Sequence, residues 1–166
     1  MYRPVSVTPP LAVQPHDHSH CVNHALAEAE ALCARQGVRL TALRKRVLEL
    51  VWTSHKPLGA YDILGVLSEE DGRRAAPPTV YRALDFLLEN GLVHRIASLN
   101  AFIGCNQPEH AHQGQFLICR SCHIAIELEH SSITEAIVSA AAAVGFSAEG
   151  QTVEVQGLCS RCKDAA

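Results

Sequence analysis

Two CxxC pairs constrain this chain more than any other feature. They are Cys119-Arg120-Ser121-Cys122 and Cys159-Ser160-Arg161-Cys162, and 36 residues separate them. A short apolar segment precedes each pair, so each pair can occupy a tight turn on which its two sulfurs converge. Four thiolates in this arrangement are typical of a closed tetrahedral zinc site with Zn–S distances of about 2.3 Å. We therefore predict that Cys119, Cys122, Cys159 and Cys162 bind structural zinc and close a small domain.

Disulfides or a thiol redox module are the alternatives for the same four cysteines. Residues 1–15 contain one arginine and lack the apolar core of about 7–15 residues that a secretory leader needs, so we expect a reducing, cytoplasmic location. A thioredoxin-like CxxC would open a helix within a βαβ unit, and neither pair does. A redox module would be alkylated rapidly with metal present, whereas a closed zinc site would react slowly.

Composition and charge favour a chain with two different halves. The 166 residues are 48% hydrophobic, and no run of about 18 apolar residues suggests a membrane span. The net charge of −3 argues against nonspecific coating of nucleic acid. Residues 35–95 carry ten Lys and Arg against seven Asp and Glu, while residues 96–166 carry three against seven. This asymmetry is typical of a DNA-binding module joined to a separate assembly module.

The first half has the element order of a winged helix-turn-helix. A His-rich tail, residues 1–23, is predicted to be disordered and to leave Cys21 a free thiol, and its His and Cys residues either bind metal weakly or are simply solvated. Helical periodicity then predicts helices over 24–35, from the N-cap Thr41 to Trp52, over 60–70, and from the N-cap Thr79 to Asn90. Strands over 92–96 and 101–105 complete the order with a hairpin. A small helical domain without a ligand is the alternative.

One helix face carries side chains suited to DNA. Tyr81 and Arg82 lie near the start of the last of these helices, opposite its apolar stripe, and the preceding turn contains Arg73 and Arg74. An arginine at such a position can reach a guanine edge or a phosphate.

The segment between the two halves is rich in metal-binding side chains. His110 and His112 lie two residues apart, which places both on one side of an extended segment. Other residues of this type nearby are His94, Cys105, His123, Glu127, Glu129 and His130. A site that combines one thiolate with imidazoles and a carboxylate suits zinc better than iron or manganese.

The second half is predicted to be a small α/β domain that pairs with a second copy. Strands are predicted at 116–118, 125–128 and 152–155. A helix is predicted from an N-cap at Ser131 or Ser132 to Val144, with Glu135 completing a capping box. These elements bury too little apolar surface to be stable alone, so we expect both the zinc site and dimerisation to support them.

Taken together, these motifs resemble the ferric uptake regulator (Fur) family of metal-sensing repressors. The resemblance rests on Val38–Thr41, Pro78–Leu84, Leu92–His94 and the paired CxxC motifs, and it covers residues 25–162. Residues 77–89 are particularly similar to the zinc uptake regulator (Zur) branch. The resemblance implies an α+β fold with a tail at 1–23, a winged helix-turn-helix DNA-binding domain at 24–97 and a small α/β dimerisation domain at 98–166.

The function implied by this resemblance is a zinc-responsive transcriptional repressor of zinc-uptake genes. It would bind palindromic A/T-rich double-stranded DNA as a zinc-loaded homodimer, without enzymatic activity, a small-molecule substrate or a membrane partner. About two zinc ions per chain are implied, one structural and one regulatory. The implied regulatory ligands are His94, Cys105, His112 and Glu127, with His110 as the rival of His112. The implied DNA contacts are Arg39 in a minor groove, Tyr61 and Arg82, and further candidates are Thr79 and Tyr81.

Two other functions are weighed against this one. A Fur-type sensor of iron, manganese or peroxide is disfavoured by Cys105, because a thiolate selects for zinc. A zinc-dependent hydrolase would hold an activated water among His94, His112 and Glu127, but Cys105 as fourth ligand would close the site. Iron-type members have a second regulatory site where this chain offers Thr134 and Gln151, so we expect that site to be absent or rebuilt with His110.

Overall fold

The computed structural model describes residues 14–72, 76–110 and 112–165, which form an α+β fold. Its helices are α1 (His18–Gln36), α2 (Ala42–Trp52), α3 (Ala60–Asp71), α4 (Pro77–Glu89), α5 (Ser131–Ala143) and α6 (Ser160–Asp164). Its strands are β1 (Leu58–Gly59), β2 (Val93–Ile96), β3 (Ala101–Gly104), β4 (Gly114–Cys119), β5 (Ala125–Leu128) and β6 (Thr152–Gly157). Within these ranges no helix combines the length and apolarity needed to cross a bilayer.

Helices α1 to α4 enclose the main hydrophobic core. Apolar residues on α4 recur at intervals of three and four, so they form one stripe that faces the other helices. The fully buried core side chains include Val47, Leu48, Ile63, Leu84 and Leu87. Helix α2 contacts both α1 and α4. This core positions the exposed face of α4, which is the face predicted to meet DNA.

A three-stranded antiparallel sheet, the wing, completes the first domain. Strand β3 lies at its centre, where Phe102 pairs with Leu58 of β1 and Ile103 pairs with His94 of β2. The predicted boundary between residues 97 and 98 is therefore wrong, because β3 hydrogen bonds to two strands of the first domain and extends that domain to Gly104. Strand β1 was not predicted, since its two residues are too few to show periodicity.

The start of α1 also differs from the prediction. The Asp17 side chain accepts a hydrogen bond from the Ser19 N–H at 2.9 Å and caps a helix that begins at His18. Residues 18–23 are therefore helical, and the prediction of a disordered tail is wrong for them. Residues 14–17 are described and precede the helix, whereas residues 1–13 lie outside the described residues. The predicted end of the helix is confirmed, because Gly37 adopts a left-handed φ of 68° that favours glycine.

The predicted caps of three other helices had different outcomes. The Thr41 hydroxyl accepts a hydrogen bond from the Arg44 N–H at 3.4 Å, which confirms Thr41 as N-cap of α2. Thr79 is not an N-cap, because α4 begins at Pro77 after Ala76 and two prolines fill its first positions, where an N–H needs no partner. Ser131 and Ser132 do not cap α5 either. Its N-cap is His130, and Ser132 hydrogen bonds that side chain at 2.7 Å instead of forming a capping box.

The second domain is a small sheet with one longer helix beside it. Strand β4 is central, antiparallel to β5 and parallel to β6. Helix α5 buries none of its residues within the chain. Several apolar side chains of this domain remain exposed, among them Val138, Val144, Phe146 and Val155. The described part of the chain therefore leaves an apolar surface on this domain uncovered.

A small apolar cluster joins the two domains. Ile96 and Ile103 from the wing pack with Phe116, Ile118 and Ala125 from the second sheet, and all five are buried. The Ala125 N–H also donates a hydrogen bond to the His55 carbonyl at 2.9 Å. These contacts set the angle between the domains.

Gly104 should be sensitive to any added side chain. A Cβ at this position would lie 2.1 Å from Cε2 of Trp52, so the indole ring would have to move from its place against β3. We expect Gly104→Ala to lower the free energy of unfolding by about 1–3 kcal/mol, as overpacking typically does. Urea unfolding of the zinc-loaded protein measures this loss.

Gly65→Ala is the matched control for this measurement. Gly65 lies in α3 with nothing within 4 Å of an added Cβ, so helix propensity alone should make the change neutral or stabilising by up to about 1 kcal/mol. Equal stability of Gly104→Ala and the wild type would contradict the described packing of Trp52.

Candidate metal centres and nucleic-acid interface

The two CxxC pairs meet at one end of the second sheet. The parallel pairing of β4 with β6 sets Cys119 opposite Gly157, which brings Cys159 alongside the first pair. The sulfurs of Cys119, Cys122, Cys159 and Cys162 lie within 4.8 Å of one another, and those of Cys122 and Cys159 are 3.7 Å apart. Thiolates around a tetrahedral zinc with 2.3 Å bonds are about 3.8 Å apart, so the arrangement fits zinc.

Backbone hydrogen bonds prepare this cluster for a cation. The N–H groups of Cys122 and Cys159 point at the Cys119 sulfur, with the second at 3.4 Å, and they lower the pKa of this thiol to about 5. A thiolate is the form that binds metal. None of the seven cysteines forms a disulfide.

A second cluster lies at the junction of the two domains, and its four donors come from four segments. His94 lies on β2, Cys105 directly follows β3, His112 precedes β4 and Glu127 lies on β5. One Glu127 carboxylate oxygen, Oε1, lies 2.7 Å from Nε2 of His94 and 2.6 Å from Nε2 of His112. The two Nε2 atoms are 3.2 Å apart, and the Cys105 sulfur is 3.7 Å from Nε2 of His112. This donor set fits a tetrahedral zinc ion.

Neighbouring groups hold these side chains in place. The Nδ1–H of His112 donates a hydrogen bond to the His110 carbonyl at 2.7 Å, which directs Nε2 toward the cluster. His110 therefore supports the cluster through its backbone, and its imidazole is not among the four clustered donors. The other Glu127 oxygen accepts a hydrogen bond from the Asn106 N–H at 3.0 Å. The His94 ring packs edge-on against Phe116.

Burial and charge determine the protonation of this cluster. Burial opposes ionisation of Glu127, but hydrogen bonds from His94 and the Asn106 N–H outweigh it, and the pKa of this carboxyl is lowered. Burial also disfavours charge on His112, yet its bonds to the His110 carbonyl and to Glu127 prevail and raise its pKa. Burial, followed by the charge of Glu127, raises the pKa of the Cys105 thiol to about 12.

The predicted DNA-contacting side chains all lie on the surface of the first domain. Arg39 precedes α2, Tyr61 lies in the first turn of α3, and Thr79, Tyr81 and Arg82 lie in the first turns of α4. Tyr61 is 73% exposed and Tyr81 is 41% exposed, so both side chains are accessible to a partner. Arg73 and Arg74 lie outside the described residues.

Thr134 and Gln151 are the residues that the resemblance places where iron-type members have a second regulatory site. Thr134 and Gln151 belong to a hydrogen-bonded group, in which the amides of Gln115 and Gln151 both donate to the Thr134 hydroxyl at 3.0 and 2.9 Å. His110 is not part of this group.

A third cluster is formed by His16, Cys21 and His55, and sequence reasoning allowed weak metal binding by the first two but missed His55. The histidine-rich composition of residues 16–20 was the only signal. It did not point to His55, which lies more than thirty positions farther along the chain.

The fold and these clusters define a class: proteins in which a winged helix-turn-helix is joined to a small metal-binding domain. Residues 35–156 match the model of the Ferric uptake regulator family, and the chain belongs to this family. It is 40% identical over 140 residues to the Zinc uptake regulation protein of Escherichia coli K12, covering 82% of this chain and 80% of that protein. It is 30% identical over 130 residues to the protein of the same name from Mycobacterium tuberculosis H37Rv, covering 76% of this chain and 96% of that one.

Solved structures of zinc uptake regulators are also similar to this chain. A zinc uptake regulator complexed with zinc and DNA superimposes with a TM-score of 0.81 at 37% identity, over 87% of this chain and 96% of that one. Holo XcZur superimposes with a TM-score of 0.78 at 44% identity, over 87% of this chain and 99% of that one. Apo XcZur, at the same identity and over 86% and 97%, reaches only 0.50. The described arrangement is therefore closer to the holo than to the apo form of that relative.

Zinc binding at the junction cluster should release protons. A Cys105 thiol with a pKa near 12 is protonated between pH 6 and 9, and it must lose its proton to bind metal. We expect release of about one proton from this thiol and an affinity that rises about tenfold per pH unit. The raised pKa of His112 adds further release toward the acid end of this range.

Calorimetric titrations in buffers of different ionisation enthalpy count these protons. The protein should first be loaded at the four-cysteine cluster, so that only the junction cluster titrates. An affinity independent of pH from 7 to 9 would rule out Cys105 as a ligand.

Proposed function

We propose that this protein is a zinc-responsive transcriptional repressor of zinc-uptake genes that binds palindromic A/T-rich operators as a zinc-loaded homodimer. The observation that carries the proposal is the partly buried junction cluster, whose donors come from both domains. The relatives named as zinc uptake regulators support the same function.

Two zinc sites are proposed for each chain. The structural site consists of Cys119, Cys122, Cys159 and Cys162. The regulatory site consists of His94, Cys105, His112 and Glu127. One thiolate with two imidazoles and a carboxylate favours zinc over iron or manganese, which supports a zinc sensor over the other sensors of the family.

The proposed switch depends on which segments carry the ligands. His94 and Cys105 belong to or directly follow the wing, whereas His112 and Glu127 belong to the second domain or directly precede its sheet. When bound, zinc supplies bonds to all four at once. All four donors converge in the described arrangement, so a bound zinc ion would shift the population toward it. The higher similarity to holo than to apo XcZur is consistent with this.

The uncovered surface of the second domain supports the proposed homodimer. Helix α5 packs no residue into the core of its own chain, and Val138, Phe146 and Val155 are exposed. A second copy would bury these side chains. Two α4 helices could then reach successive half-sites of a palindrome.

A zinc-dependent hydrolase is the candidate from another class. It needs three protein ligands and an open position for water. Four donors converge here and Cys105 is 3% exposed, so a water would have to displace a buried sulfur. We infer that the protein is not an enzyme.

Seven cysteines without a disulfide are consistent with action in the reducing cytoplasm.

Zinc titration combined with DNA binding tests the proposed function. Purified protein under reducing conditions is titrated with zinc, iron or manganese while its affinity for a palindromic A/T-rich duplex is measured. We expect one zinc per chain to resist mild chelation and a second to switch on DNA binding. Activation by iron or manganese in place of zinc would contradict a zinc sensor.

His112 and His110 provide a matched pair for the regulatory site. His112→Ala should abolish zinc-dependent DNA binding and retain the zinc of the four-cysteine site, because its Nε2 atom lies in the junction cluster. His110→Ala should bind DNA like the wild type, because His110 contributes only a carbonyl group that the substitution keeps. If His110→Ala abolished zinc-dependent DNA binding and His112→Ala did not, His110 and not His112 would be the regulatory ligand.

Arg82 provides a test of the proposed DNA-binding face. Arg82→Ala should weaken specific binding of the zinc-loaded protein by about 1–3 kcal/mol and relax base preference at one operator position in each half-site. Arg35→Ala removes the same charge from an exposed arginine that pairs with Glu109. Fluorescence anisotropy with operator and scrambled duplexes measures both, and equal losses for the two variants would exclude a specific role for Arg82.

A further inference from the structure

A third group of metal-type side chains lies where the start of α1 meets the loop between α2 and β1. One nitrogen each of His16 and His55 and the sulfur of Cys21 lie within 4.8 Å of one another. The Nε2 atoms of His16 and His55 are 3.0 Å apart. None of these three residues belongs to the four-cysteine cluster or to the junction cluster.

The surroundings orient these donors toward a common point. Nδ1 of His16 donates a hydrogen bond to the Gln14 carbonyl at 2.9 Å, which leaves Nε2 unprotonated and able to bind a metal, as second-shell carbonyls do for metal-binding histidines. Asp17 caps the helix and thereby holds Cys21 one turn away from His16, beside His55. The cluster is a consequence of the helical start that sequence reasoning did not predict.

His18 supplies a second, independent observation. Its ring lies 4.4 Å from that of His16 and 4.9 Å from that of His55, measured between centroids. Its Nδ1 atom is buried and has no hydrogen-bond partner. Buried polar atoms of native proteins nearly always have a hydrogen-bond partner. An imidazole nitrogen that lacks one and lies beside three metal-type donors is suited to binding a cation.

We propose that His16, Cys21 and His55 form a third zinc site, with His18 as the nearest further donor. Two imidazoles and one thiolate are a donor set that zinc prefers, and a fourth donor completes tetrahedral coordination. All three ligands are only partly buried, whereas Cys105 and Cys119 are buried. The third site is therefore the more open to solvent and should fill after the other two.

The site lies next to the domain junction. The His55 carbonyl accepts the hydrogen bond of the Ala125 N–H, at the first residue of β5. Cys21 and His55 also line a cavity of about 190 Å³ whose lining includes Ala125 and Glu127. Bonds from α1 and from this loop to one ion would hold the start of α1 against the segment that contacts the second domain. Zinc at the third site should therefore stabilise the same domain arrangement as the regulatory cluster.

Cobalt(II) titration of the full-length protein tests the proposal. The protein is first loaded with two zinc ions per chain, and cobalt is then added under reducing conditions. We expect a third equivalent to bind, with a thiolate-to-cobalt charge-transfer band in the near ultraviolet. Cys21→Ser should abolish this band, and His55→Ala should weaken the binding at least tenfold.

His20→Ala is the matched control, because His20 lies on the same helix but is exposed and outside the cluster. It should bind the third cobalt like the wild type. A wild type that binds only two metal ions, or a third equivalent that persists unchanged in Cys21→Ser and in His55→Ala, would overturn the proposal. Zinc-dependent DNA binding at two equivalents should survive in Cys21→Ser, so failure of the third site is distinguishable from failure of the regulatory site.

Discussion

The relation between the two domains depends on one buried carboxylate. Glu127 lies on the second sheet, yet its oxygens contact His94 of the wing, His112 of the connecting loop and the Asn106 N–H. A buried carboxylate needs such partners, because leaving it unpaired costs several kcal/mol. The domain arrangement that satisfies Glu127 is also the one that assembles four metal donors.

Apolar packing makes this arrangement specific. Phe116 is 1% exposed and packs with Ile96 and Ile103 of the wing on one side of the cluster, while its ring meets that of His94 edge to face. The electrostatic part of the junction, by contrast, responds to protons and to metal ions. A junction built from both kinds of contact can keep one geometry and still have a stability that depends on ligand. That combination is what a metal-dependent regulator requires.

Strand β4 organises the rest of the second domain. Its parallel partner β6 arrives after α5, and this crossover brings together two cysteine pairs that are far apart in sequence. The same sheet supports Glu127 on its other partner, β5. The second domain has only a small apolar core of its own, and the apolar residues of α5 are uncovered. Its stability therefore depends on metal at the four-cysteine cluster and on a second copy of the chain.

Local signals in the sequence determined most of the helices, the β2–β3 hairpin of the wing and the four-cysteine site. The apolar stripe of α4, the Thr41 cap and the CxxC spacing each act over a few residues, and these predictions agree with the structure. The resemblance also identified His94, Cys105, His112 and Glu127 as one set before any distance was known. The prediction of Thr79 as the N-cap of α4 failed, because the two prolines before it start the helix earlier. Only the tertiary structure decided that His112 rather than His110 joins the junction cluster, that β1 joins the wing, and that His55 meets the start of α1. Each of these depends on contacts between segments distant in the chain, which no periodicity or spacing encodes.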